Sequence, residues 1–135
     1  MPKGVLFDLD GTLLDSAPDF IVSLNNLLRK HHRPALDPEI IRSHVSDGSW
    51  TLVSLGFGIE ETHEDCASLR EELLVEYAKN SLVYGGAFPG ISDVLTSLKH
   101  MNIPFGVVTN KPLIFAQPII EKEPAFKHCQ TLICP

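Results

Sequence analysis

Two aspartates one residue apart, Asp8-Leu9-Asp10, run directly into Gly11-Thr12 and form the strongest chemical signal in the chain. Residues two apart in extended chain point the same way, so both carboxylates can face one reacting centre. Close carboxylates repel unless a cation intervenes, and hard oxygen donors of this kind suit Mg²⁺. Gly11 would permit the sharp turn and close backbone approach that a phosphoryl group requires. Taken alone, the pair fits a solvated Asp-Gly turn after a strand better than a reacting centre, because so short a pattern matches often by accident. A second polar pair, Thr109-Asn110, closes another apolar run, Ile103 to Val108.

These residues need elements to hold them. Gly4 to Leu9 is a short apolar run that stops at an Asp-Gly pair, the pattern of a buried strand ending in a turn. Ser16 with an acid three residues on, Asp19, reads as a capping box, followed by Phe20, Ile21, Leu24, Leu27 and Leu28 at helical spacing. Asp37-Pro38-Glu39 starts a second helix, and a short third is expected from Trp50 to Leu55. The longest helix is expected from Glu60 to about Asn80. Between residues 16 and 83 the pattern is helical throughout. Turn chemistry at Tyr84-Gly-Gly-Ala-Phe-Pro-Gly90 then marks the return to a different unit. An amphipathic helix through Ile91, Val94, Leu95, Leu98 and Met101 precedes the strand at 103–108. A further helix runs from Pro112 to about Lys122, with Pro118 expected to kink it or delay its start, and Thr131 to Cys134 begins a third strand. Strands alternating with helices imply a parallel α/β sheet, whose ligands lie beyond the carboxyl ends of the strands. Asp8, Asp10, Thr109 and Asn110 all belong to such ends.

The full string Phe7-Asp-Leu-Asp-Gly-Thr-Leu-Leu-Asp-Ser16 resembles the first signature of the haloacid dehalogenase superfamily, and Val107-Val-Thr-Asn-Lys-Pro112 resembles the second. The helical insert is placed like that family's cap, and Phe88-Pro-Gly90 is similar to the entry of the helix before the second strand. The nearest likeness is to phosphoglycolate phosphatases. The resemblance implies a Rossmann-like parallel core at residues 1–15 and 84–135, with an all-helical cap at 16–83. It implies that Asp8 attacks phosphorus to form an aspartyl phosphate, and that Asp10 acts as general acid and base. It further implies a Mg²⁺ held by the Asp8 carboxylate and the Asp10 carbonyl, and phosphate binding at Gly11, Thr109 and the backbone N–H of Asn110. Lys111 is expected near a helix start as a surface cation, because the family's catalytic lysine belongs to a later signature.

Composition bounds the function. Of 135 residues, 44% are hydrophobic and 21% charged, which predicts a packed globule. The formal charge of -6, with Lys and Arg scattered singly, argues against a nucleic-acid face and requires any anion site to work locally. No run approaches the ~20 apolar residues of a membrane span, and the start of the chain does not read as a signal peptide. Cys66, Cys129 and Cys134 lack disulfide or zinc spacing, and a reducing cytoplasm is the expected setting. His31, His32 and His128 have no third ligand at suitable spacing and read as solvated.

The resemblance calls for two more signatures, a lysine and an acidic cluster, that lie after the third strand in relatives; no such string precedes Pro135. The expectation is a half-core, truncated after the third strand, whose first strand is an exposed edge open to self-association. Three functions follow. A phosphatase of a small phosphorylated metabolite comes first. A phosphosugar mutase of the same fold is its neighbour, and a non-catalytic chain that only binds a ligand or a partner is the third. A dehalogenase is disfavoured because Asp10 is present.

Overall fold

The computed structural model describes all residues from 1 to 135, and the chain divides into two compact units. One comprises Met1–Asp15 with Gly86–Pro135, the other Ser16–Gly85.

The first unit is α/β. Its parallel sheet has the order β1 (Val5–Phe7), β4 (Phe105–Val108), β5 (Cys129–Ile133). Phe7 lies opposite Val107, and Val107 opposite Leu132. The central strand β4 is buried from Phe105 through Val107, as expected for a strand paired on both edges. Gly106 explains how three strands close up there. A Cβ on it would run into the Thr131 methyl on one neighbour and lie 3.1 Å from Leu6 Cδ2 on the other. Helices α5 (Ile91–His100) and α6 (Leu113–Lys122) flank β4 in sequence, and a 3₁₀ turn at Pro124–Phe126 leads into β5. The core gathers Leu9, Leu13, Leu14, Leu95, Ile103, Phe105, Val107, Ala116, Ile119 and Phe126. Strand β1 is the sheet's edge, and Leu6 on it is 63% exposed.

Several boundaries differ from the sequence reading. β1 is three residues rather than six, and β5 starts at Cys129 rather than Thr131. Pro118 lies inside α6 and neither ends it nor delays its start at Leu113. A two-rung antiparallel ladder, β2 (Leu14–Asp15) on β3 (Gly86–Ala87), has no counterpart in the sequence reading. Two residues are too few for a period to register.

The second unit is helical: α1 (Ala17–Lys30), α2 (Pro38–His44), a 3₁₀ turn at Val45–Asp47, α3 (Ser49–Phe57) and α4 (Cys66–Asn80). Leu24, Leu27 and Leu28 of α1 are fully buried, and Phe20 stacks on Tyr77 of α4 with centroids 4.0 Å apart. A Cβ at Gly56 would sit 3.2 Å from Leu24 Cδ1, so the bare glycine lets α3 approach α1. Asp37 caps α2 by accepting from the Glu39 N–H at 2.8 Å. The longest helix begins at Cys66 rather than Glu60, because residues 61–65 form turns before it.

The capping box at Ser16 does not form. The Ser16 hydroxyl is buried and makes no hydrogen bond, and Asp19 does other work. Its carboxylate, 1% exposed, accepts three backbone N–H groups from the segment leaving the unit: Leu82 at 3.0 Å on Oδ2, and Tyr84 at 2.8 Å and Gly85 at 3.0 Å on Oδ1. A buried carboxylate needs such donors, and three N–H groups aimed at one point need an anion-like acceptor.

Two outcomes follow. Gly106→Ala should destabilise the protein by about 1–3 kcal/mol through overpacking, read as a lowered urea midpoint with unchanged slope. Asp19→Ala should strip the acceptor from three amides and cost on the order of 3 kcal/mol. Hydrogen exchange should then quicken selectively at Leu82, Tyr84 and Gly85; protection unchanged at those amides would refute the clamp.

Candidate active site

The site begins where β1 stops. Phe7 is the last paired residue, and from Leu9 to Leu14 the chain folds into a tight loop. The Leu9 carbonyl accepts from the N–H groups of Thr12, Leu13 and Leu14, while the Gly11 N–H donates to the Leu14 carbonyl at 2.9 Å. Gly11 has φ +78°, a left-handed conformation that a side chain would oppose. Leu9, Leu13 and Leu14 are buried and anchor the loop, leaving Asp8 and Gly11 exposed.

Asp8 directly follows the edge ladder, and its Oδ1 accepts from the N–H of Leu9 at 2.7 Å. Asp10 lies beyond the strand in an isolated bridge with Leu14, so strand alternation does not orient its side chain. Lys111 does. Its ammonium donates to Asp10 Oδ1 at 2.8 Å, with the lysine side chain 6% exposed and the aspartate side chain 26%. The expected surface position of Lys111 is therefore overturned. An ammonium withdrawn from water needs a carboxylate partner, and Asp10 supplies it from 101 residues away.

β4 delivers the other side of the site. Because β4 runs parallel to β1 with Val107 opposite Phe7, Asp8 and Thr109 emerge from neighbouring strands at the same end. Thr109 is buried, and its N–H extends the pairing to β5 by donating to the Ile133 carbonyl at 3.0 Å. Its hydroxyl oxygen accepts from the Lys111 N–H at 3.1 Å, which folds the Thr109-Asn110-Lys111 turn back toward Asp10. Asn110 is exposed, and α6 starts three residues later. Thus Asp10, Lys111 and Thr109 are joined by direct hydrogen bonds, while Asp8, Gly11 and Asn110 are placed beside them by the backbone. The signal that could have found Lys111 was its position immediately after a strand end, at the same end as Asp10.

No three His, Cys, Asp or Glu side chains gather into a cluster. The residues that could hold a cation are Asp8, through its carboxylate, and Asp10, through its backbone carbonyl. That set fits Mg²⁺, which commonly takes one or two protein carboxylates and completes its shell with waters and substrate phosphate.

The titratable groups with shifted pKa values lie outside this set. Cys66 is buried, and burial, with the charge of Glu61, pushes its thiol up; burial does the same for Cys129. His31 pairs with Glu72 at 2.9 Å, and that hydrogen bond holds the Glu72 carboxyl below its ordinary value. A surface cleft of about 370 Å³, lined by Lys99, Phe105, His128 and Gln130 among others, shares no residue with the carboxylate site. There His128 is pushed down by desolvation, with Lys99 and Lys127 adding to the effect.

A parallel α/β sheet with acids at the end of one strand and a Thr-Asn-Lys turn at the end of the next is a hydrolase architecture of recognisable type. The chain belongs to the haloacid dehalogenase-like hydrolases, whose family profile matches residues 5–134. It is 38% identical over 133 residues to the N-acetylmuramic acid 6-phosphate phosphatase of Pseudomonas putida, covering 98% of this chain and 60% of that protein. It is 37% identical over 136 residues to a phosphoglycolate phosphatase of Xanthomonas campestris, covering 98% and 59%. Among solved structures, a predicted phosphoglycolate phosphatase from Haemophilus somnus superposes with a TM-score of 0.82 at 25% identity, covering 98% of this chain and 62% of that one. The chain thus spans about three fifths of the length of these relatives. No helix is long and apolar enough to cross a membrane.

Proposed function

We propose that this chain carries the nucleophile and the acid–base group of a Mg²⁺-dependent phosphatase acting on a small organic phosphate monoester. The observation that carries the reading is the convergence of Asp8, Asp10, Thr109 and Lys111 at adjacent strand ends. An Asp8 carboxylate oxygen attacks phosphorus in line as the bond to the leaving oxygen breaks, giving an aspartyl phosphate. Asp10 gives its proton to the departing oxygen. It then takes one from the water that attacks phosphorus and frees both Asp8 and inorganic phosphate. Thr109 and the N–H of Asn110 hold the phosphoryl oxygens, assisted by the N-terminus of α6, and Gly11 lets the backbone come close to them. Mg²⁺, held by the Asp8 carboxylate and the Asp10 backbone carbonyl, would supply positive charge against those oxygens. With the chain at -6 overall, attraction of an anionic substrate falls to these local groups.

Phosphoglycolate and N-acetylmuramic acid 6-phosphate, named in two of the relatives, are both phosphomonoesters of carboxylic acids. That is the substrate class we put first, with residues 16–83 as the cap that selects it and Gly85-Gly86 as its hinge. A second reading is a chain that works by pairing with another copy. The edge position of β1 and the exposure of Leu6 favour it, because an edge strand offers unpaired N–H and C=O groups.

The test of the nucleophile is Asp8→Asn in the full chain, assayed with Mg²⁺ against phosphoglycolate and related esters. Turnover should fall by about 10⁴-fold or more while circular dichroism is unchanged. Retention of a tenth of the activity would exclude Asp8. Dimers on sedimentation, with no turnover of any ester, would favour the second reading.

A further inference from the structure

We propose that Lys111 is a positioning residue for the acid–base carboxyl of Asp10, an inference that rests on the phosphatase reading above. Asp10 lies past the end of β1, in a loop whose backbone is held by the Leu9 carbonyl and by Gly11, so the ladder does not set its side chain. The Lys111 ammonium sets it, through the 2.8 Å hydrogen bond to Oδ1. Lys111 is 8% exposed and is itself held by its own N–H on the Thr109 hydroxyl, so the ammonium sits on a short buried tether rather than a free surface arm. Occupying Oδ1 leaves Oδ2 as the oxygen that exchanges a proton with the substrate. The hydrogen bond persists whether or not the carboxyl carries that proton, since Oδ1 can accept in either state. The same tether ties the acid–base group on one strand end to the phosphate-binding turn on the next, fixing their spacing.

The role predicts a dependence on the leaving group that a structural or phosphate-binding lysine would not show. An alkyl phosphate needs a proton on its departing oxygen, whereas p-nitrophenolate leaves without one. In the full chain, Lys111→Met should lower kcat/KM for an alkyl phosphate about 100-fold, and for p-nitrophenyl phosphate less than about fivefold. Lys111→Arg, which keeps a donor at the site, should recover most of the alkyl rate and serves if the methionine variant fails to fold. Equal losses on both esters would overturn the inference and make Lys111 a phosphate ligand or a folding residue. A stability cycle through Asp10→Asn, Lys111→Met and the double variant gives a readout independent of turnover, and the two losses should be strongly non-additive. Additive losses in an enzyme that is otherwise active overturn the inference alone. Wild-type chain that hydrolyses neither ester removes the phosphatase reading, and the catalytic role of Lys111 with it.

Discussion

The parallel pairing of β1 with β4 is the constraint on which the site depends. Hydrogen-bond register admits only whole steps, so Phe7 opposite Val107 determines which residues leave the sheet together. A one-step slip would turn the side chains of β1 to the other face and would change which residues leave the sheet beside Thr109. The register is held from both sides of β4. Phe105 through Val107 are buried, Gly106 admits close neighbours, and Thr109 carries the pairing with β5 one residue further than the strand itself. Chemistry at the strand ends is therefore bought by packing in the strand middle.

Electrostatics then refine what register places. The acids near the turn would repel, and a net negative chain offers no long-range help. One buried ammonium, brought in by the segment after β4, answers the charge of Asp10 locally. Low exposure matters here, because the same pair at the surface would be worth little and would not hold one geometry. The phosphate-binding turn and the acid–base loop are in this way two ends of one hydrogen-bonded chain, Thr109 to Lys111 to Asp10.

The α/β class, the parallel order and the strand ends bearing Asp8 and Thr109 were legible because apolar runs that stop at polar pairs leave a strong local mark. The helical stretch was legible from the spacing of Leu24, Leu27 and Leu28, all of which are buried. What local reasoning missed was decided by partners far away in sequence. Ser16 and Asp19 have the letters of a capping box, but the Asp19 carboxylate is claimed by three amides 63 to 66 residues on. Lys111 sits among polar residues and reads as surface until Asp10 is known to face it. The two-rung ladder of β2 and β3 leaves no periodic mark, and Pro118 removes one N–H from α6 without breaking it.

The clamp at Asp19 and the ladder of β2 on β3 bear on how such a chain can be built. Each unit, by its own bonds, holds together the two strands of chain that pass between them: Leu14 and Asp15 against Ala87 and Gly86 on one side, the start of α1 against residues 82–85 on the other. The helical segment is thus a parenthesis, opened and closed at one place. Its removal would leave β2 and β3 needing only a tight turn to become an ordinary hairpin, and a different helical segment with neighbouring ends could be written in its place. A lineage can therefore exchange what the parenthesis contains while the register that sets Phe7 opposite Val107 is left untouched.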